Sequence, residues 1–219
     1  MTPFDMSVET PIEKHRSDSF FTKEPETLAW IESFSADDVF IDIGANIGIY
    51  SLYAASLFSK MPILAIEPME ANFKRLEENK KLNGFSHLFC FPMAVSDRNR
   101  MCRLSVPDGT VGASGTQIQD GSENIALSLE TIMTGIDRSV NIKIDIDGQE
   151  LSVIKGIGLA WSKIKSVLVE INNNKNVIFD IFTDKGFTTQ NRFNAMTPHS
   201  RERRQKEGIQ AENIIFTRG

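Results

Sequence analysis

The sequence predicts one doubly wound α/β domain around a mostly parallel sheet. Three observations carry that expectation. Short β-rich runs alternate with helical stretches along the chain, the order that parallel βαβ crossovers require. Those runs are apolar at nearly every position, as strands covered on both faces are. A chain of 219 residues with 41% hydrophobic side chains can bury one core of this size class without disulfide or metal staples.

Residues 1–23 are polar with scattered apolar positions and read as an N-terminal arm ahead of a domain over 24–219. Pro25 suits a first helical turn, and Leu28, Ile31 and Phe34 follow at helical spacing. Residues 39–43 make the first strand, which ends in Gly44-Ala45-Asn46-Ile47-Gly48 and passes into a helix over 50–58. A second unit repeats this order, with a strand over 63–67 and a helix over 70–82 that stops at Asn83-Gly84. Residues 88–91 open a third strand, 97–100 form a turn, and 101–106 return as a hairpin strand. Residues 107–124, rich in Gly, Ser, Asp and Thr, read as one long loop. A loop of that length is either functional or disordered, and its place beside the glycine turn makes it a substrate loop or lid. A fourth strand over 141–145, a helix over 149–155, a fifth strand over 167–171, a helix over 176–184 and a last strand over 213–217 complete the domain.

The 24 basic and 29 acidic side chains leave a net charge of −5, so no global field attracts nucleic acid or an anionic membrane. No nucleic-acid partner is expected. Cys90 and Cys102 are too few for a disulfide framework or a cysteine-built zinc site, and they read as small apolar side chains in a reducing compartment. The opening Met1-Thr2-Pro3-Phe4-Asp5 lacks a basic segment followed by an apolar one, and no run of about 18 apolar residues occurs. A soluble, cytoplasmic protein without a membrane span is the expectation.

In open α/β sheets ligands bind beyond the carboxyl ends of the strands. Gly44 can take strained backbone angles and admit a ligand to the main chain, and Gly48 lets the next helix start close to the sheet. Glu67, 25 residues after Asp42, stands at the end of the second strand, where a carboxylate can accept both hydroxyls of a ribose. Turn glycines without a ligand are the plain alternative. A dinucleotide loop prefers a glycine where Asn46 stands, because a pyrophosphate needs the room. The Asp42 carboxylate would repel phosphate and suits a ligand with an amino group and a sulfonium, which points to S-adenosylmethionine. An NAD-type oxidoreductase and a catalytically silent binding domain are the competing functions.

Val39-Phe40-Ile41-Asp42-Ile43-Gly44-Ala45-Asn46-Ile47-Gly48 resembles the first motif of the FkbM-type methyltransferases, a branch of the class I S-adenosylmethionine-dependent enzymes. Glu67-Pro68, Ala94-Val95-Ser96-Asp97, Lys143-Ile144-Asp145-Ile146-Asp147-Gly148-Gln149-Glu150, Val169-Glu170-Ile171 and Asn213-Ile214-Ile215-Phe216 agree with the family in order. The chain departs from the pattern at Asp147, where the family usually has glutamate, and at Gln149, where a small residue is common. Neither departure touches the cofactor loop; both bear on substrate choice.

The resemblance implies a Rossmann-like, mostly parallel seven-stranded sheet with helices on both faces. It further implies O-methylation of a hydroxyl on a sugar, glycan or secondary metabolite. Gly44 and its neighbours Asp42, Ala45, Asn46 and Gly48 would hold the methionine moiety and Glu67 the ribose, while Met69, Ala94 and Val95 would flank the adenine. Asp97 is a cofactor contact or a turn residue.

Asp145 ends a buried strand beside the first, which places its carboxylate near the transferred methyl group. Lys143, Glu150 and Glu170 join it as candidate catalytic residues; Lys143 and Glu150 read equally as an ion pair bracing the turn. Magnesium is an optional further ligand, held by Asp145, Glu170 and Asn172 with Asn173 beyond, since oxygen ligands suit that ion. Glu170 reads otherwise as a helix cap or a substrate contact. His15, His87 and His199 fall away from strand ends, and Trp30 and Trp161 read as packing residues. The run Arg201-Glu202-Arg203-Arg204-Gln205-Lys206-Glu207 reads as solvated.

Overall fold

The computed structural model describes residues 3–171, 173–196 and 211–218. Its strands are β1 (Val39–Ile43), β2 (Ile63–Ile66), β3 (Leu88–Phe91), β4 (Ala94–Ser96), β5 (Arg100–Ser105), β6 (Gln117–Asp120), β7 (Asn124–Ser128), β8 (Val140–Ile144), β9 (Ile164–Ile171), β10 (Phe187–Thr188) and β11 (Glu212–Arg218). The helices are α1 (Pro11–Lys23), α2 (Pro25–Glu32), α3 (Ile49–Leu57), α4 (Glu70–Asn83), α5 (Leu129–Ile132), α6 (Glu150–Lys155) and α7 (Lys175–Asp184).

Seven strands lie in the order β10-β11-β9-β8-β1-β2-β3. From β3 through β9 neighbours are parallel, and β11 runs antiparallel between β9 and β10. All five residues of β1 and of β8 are buried, as strands in the middle of such a sheet must be. The chain leaves β1 for β2 on one side and returns to β8 on the other, so the crevice beyond the carboxyl ends of β1 and β8 is the switch point of an α/β sheet. This is the expected Rossmann-like α/β fold.

Alternate residues of β1 divide between two apolar clusters. Val39, Ile41 and Ile43 pack with Leu129, Val153, Ile154, Ile178 and Phe182 from α5, α6 and α7. Phe40 packs with Phe20, Leu28, Leu52 and Leu76 from α1 to α4. Successive strand side chains point to opposite faces of a sheet, which is why one strand feeds both clusters.

Three elements differ from expectation. Residues 11–23, within the expected arm, form α1, opened by a capping box between Thr10 and Glu13. Glu13 and Phe20 of α1 are buried, and the Phe20 ring meets Phe4 and Tyr53 edge-on. The expected hairpin strand over 101–106 is β5, but its partners are β6 and β7, in a second sheet ordered β4-β7-β5-β6. The expected loop over 107–124 contains β6. That strand is mostly exposed and polar, so no apolar run announced it. Among the described residues no helix is long and apolar enough to cross a membrane.

Candidate active site

The turn after β1 is shaped by its glycines. Gly44 has φ +79°, and a Cβ there would lie 1.9 Å from the carbonyl oxygen of Asp145, so β1 and the end of β8 meet main chain to main chain. Gly48, at φ +91°, caps α3, and its missing Cβ leaves room for Leu76 of α4. The close contact at Gly48 is therefore with a neighbouring helix and not with the sheet, as the sequence suggested. Between them Asn46 adopts φ +53°, a conformation that asparagine tolerates better than most residues.

Glu67 follows β2 and is buried. Its Oε2 accepts the backbone N–H of Asn46 at 2.8 Å and its Oε1 that of Met69 at 2.9 Å. Burial pushes its pKa up to about 7, against the pull of those two hydrogen bonds; Asp42 adds to the rise and the charge of Arg16 opposes it.

A cavity opens beyond β1, β2 and β8, lined by Gly44, Asn46, Glu67, Pro68, Asp145 and Asp147. An apolar slot adjoins it, lined by Ile66, Met93, Ala94, Val95, Ile118 and Gln149. The two share Gly44, Pro68, Thr116 and Ile146, so they are continuous. Residues 111–115 cross the cavity as a strap. Asn46 Nδ2 and Asn72 Nδ2 both donate to the carbonyl of Ala113, at 2.8 and 3.1 Å. Gly112 N–H donates to Asn72 Oδ1 at 2.7 Å, and Gly115 N–H to Asp147 Oδ2 at 2.6 Å. From α1, Arg16 Nε donates to the carbonyl of Gly112 at 2.9 Å.

Behind the cavity lies a buried charge network. Lys143 is 2% exposed; its Nζ donates to Asp145 Oδ2 at 2.6 Å, stands 4.0 Å from Asp42 Oδ1, and sits 5.1 Å from the centre of the Tyr50 ring. Burial acts to raise the pKa of Asp145, but the charge and hydrogen bond of Lys143 outweigh it and hold the carboxyl below its ordinary value. Burial acts to lower the pKa of Lys143, and Asp145 and Asp42 together hold it above the ordinary lysine value. Asp42 has its pKa raised by burial, and its Oδ2 accepts the Ser51 hydroxyl at 2.6 Å. Glu170, on the neighbouring strand β9, acts on the Asp145 carboxyl in the same direction as Lys143.

The structure sorts the sequence expectations. Gly44, Asn46, Glu67 and Asp145 line the cavity, and Ala94 and Val95 line the slot. Asp42 does not reach the cavity: it is 1% exposed and committed to Ser51 and Lys143, because its side chain alternates to the sheet face that packs on α3. Ala45 is packed in the core among aromatic and aliphatic side chains. Met69 lines a separate cleft beside α4 and serves Glu67 through its backbone, while Met93 takes the place in the slot. Lys143 is paired with Asp145 and not with Glu150, whose Oε1 instead accepts the N–H of Gly148 at 2.7 Å and braces the turn before α6. Asp97 accepts from Ser96 and Arg98 in its turn and lines neither opening. Of the expected magnesium ligands, Asp145 carries an ammonium and Asn172 lies outside the described residues, and no three His, Cys, Asp or Glu side chains among the described residues form a metal-ligand set. Asn172, His199 and the run 201–207 lie outside the described residues. His15 is exposed, His87 contacts the carbonyl of Ala55, and Trp30 and Trp161 are packing residues. Sequence reasoning missed Arg16, Asn72, Met93 and Ile118; only the capping box at Thr10 and Glu13 signalled the helix that carries Arg16.

The crevice and its turn have relatives. The chain is 24% identical over 171 residues to Methyltransferase 1 of Beauveria bassiana, covering 66% of this chain and 69% of that protein. It is 28% identical over 147 residues to the hexuronic acid methyltransferase AglP of Haloferax volcanii, covering 65% of this chain and 59% of that one. A candidate rRNA methylase of Clostridium thermocellum shares the fold at a TM-score of 0.53 and 11% identity, over 89% of this chain and 96% of that one. The family model described as the methyltransferase FkbM domain matches residues 42–196, from the last polar residue of β1 to the turn beyond β10, and leaves the dinucleotide-oxidoreductase reading without support. The chain belongs to the FkbM methyltransferase family.

Proposed function

We propose that this chain is an S-adenosylmethionine-dependent O-methyltransferase whose acceptor is a hydroxyl on a sugar, glycan or secondary metabolite. The observation that carries the reading is the pairing of a polar cavity with an apolar slot at the switch point of the sheet. The slot suits an adenine, with Ala94, Val95, Met93 and Ile118 against its faces. Glu67 has lone pairs left after accepting from Asn46 and Met69, and these suit a ribose diol. The backbone from Gly44 to Asn46 suits the amino-acid end, and the acids Asp145 and Asp147 face the region of the sulfonium and the acceptor.

When bound, S-adenosylmethionine supplies a methyl group on a positively charged sulfur that becomes neutral as the methyl leaves. The protein's share is alignment. Asp145, kept anionic by Lys143, is a strong hydrogen-bond acceptor for the acceptor hydroxyl and a poor base, so it orients the oxygen, and the hydroxyl proton passes to solvent water as the C–O bond forms and the C–S bond breaks. The strap over 111–115 walls the acceptor side. The name of AglP favours a sugar acid among the acceptors, and no step of this scheme uses magnesium.

The test is calorimetry with S-adenosylhomocysteine, followed by transfer of labelled methyl to a panel of sugars, uronic acids and phenols with and without a chelator. Label on a hydroxyl oxygen, unaffected by the chelator, is the expected result. Absence of S-adenosylhomocysteine binding overturns the reading; binding without transfer to any acceptor returns the silent binding domain.

A further inference from the structure

We propose that Arg16 is a carboxylate receptor in the wall of the cavity, an inference that rests on the cofactor reading above. Among the described residues that line the cavity, Arg16 is the one cation, and Glu67, Asp145 and Asp147 supply the opposite charge. Its Nε is spent on the carbonyl of Gly112, and among the described residues its guanidinium makes no ion pair. The remaining N–H groups form a planar fork, the geometry that matches a carboxylate.

The helix holds this group in place. Glu13, Arg16 and Phe20 recur at helical spacing on one face of α1. Glu13 is buried against Arg75, 2.8 Å from its Nε, and Phe20 sits in the aromatic core, so the turn between them is fixed. An arginine fixed over an acid-lined cavity adds the missing sign: the site then complements a ligand bearing positive charge at one end and a carboxylate at the other.

Two ligands could bring that carboxylate, the amino-acid end of the cofactor or an acidic acceptor such as a uronic acid. Arg16→Gln and Arg16→Lys, checked for folding by circular dichroism, separate them. Each variant is titrated with S-adenosylhomocysteine and with methylthioadenosine, which has the same nucleoside and thioether but no amino-acid end. The S-adenosylhomocysteine-loaded proteins are then titrated with methyl glucuronoside and methyl glucoside.

If the cofactor supplies the carboxylate, Arg16→Gln weakens S-adenosylhomocysteine binding by about tenfold or more and leaves methylthioadenosine within about twofold. If the acceptor supplies it, cofactor affinity holds and binding of the glucuronoside alone is lost. Equal weakening of both nucleosides overturns the proposal, because Arg16 then only pins the strap. No change in either arm overturns it too. Failure of the wild-type chain to bind S-adenosylhomocysteine is a separate result, which removes the cofactor reading and this inference with it.

Discussion

The Lys143 ammonium lies 2.6 Å from Asp145 Oδ2, and the lysine side chain is 2% exposed while that of Asp145 is 30% exposed. One partner is therefore sealed in the core while the other faces the cavity. Removing the sealed charge leaves Asp42 buried without its cation and frees Asp145 to take up a proton. We expect Lys143→Met to destabilise the fold by about 3–5 kcal/mol in urea unfolding, the scale of breaking a buried pair. Adding Asp42→Asn to that variant should recover part of the loss; a single variant as stable as the wild type would show that the network is not coupled.

Gly44 and Gly48 have the same sign of φ but different neighbours. A methyl at residue 44 would collide with the Asp145 backbone, whereas one at residue 48 would meet the flexible tip of Leu76. Both substitutions incur about 1–2 kcal/mol for the left-handed conformation. Gly44→Ala must also push β1 from β8, so its melting temperature should fall well below that of Gly48→Ala. The reverse order would mean that the β1–β8 contact yields easily.

Cofactor affinity should depend on pH through Glu67. Its pKa in the folded chain stands near 7, above the ordinary carboxylate value, so the free site takes up a proton as the pH falls below that point. The ionised form accepts hydroxyl hydrogen bonds better. Affinity for S-adenosylhomocysteine should therefore rise from about pH 6 to about pH 8, by at most about tenfold per unit, the limit for one linked proton. Glu67→Gln should flatten that dependence and weaken binding by about 1.5–3 kcal/mol at the alkaline end. The same raised pKa makes the free fold lose stability as the pH climbs from the ordinary carboxylate range to about 7.

Asn72 holds the strap with both ends of its amide. In Asn72→Ala the Gly112 N–H loses its partner, at a cost of about 1–3 kcal/mol. Limited proteolysis should then cut within 107–116 faster than in the wild type, with the central sheet still intact by circular dichroism. Equal cutting rates would mean that Asn46, Arg16 and Asp147 suffice.

The central strands, the turn from Gly44 to Gly48 and the acid at Glu67 were legible because each is written in a few adjacent residues: an apolar run, a glycine at a left-handed position, a carboxylate at a strand end. The small second sheet was not, because β6 is three polar residues around Ile118, mostly exposed, whose only signal is pairing with β5. Asp42 misled for a related reason. Its place at the end of β1 was clear, but which way its side chain turned depended on alternation and on Lys143 arriving from a strand far along the chain.

The sequence by itself determined the sheet, its switch point and the chemical character of the crevice, since local pattern dictates local backbone. Tertiary structure alone decided which charges face the cavity. Arg16 and the Ala113 strap meet there because α1 docks across a separation of about a hundred residues, as in the Thr10 to Val111 hydrogen bond. Contacts of that kind are selected by the packing energy of the whole fold, and no short stretch of chain records them.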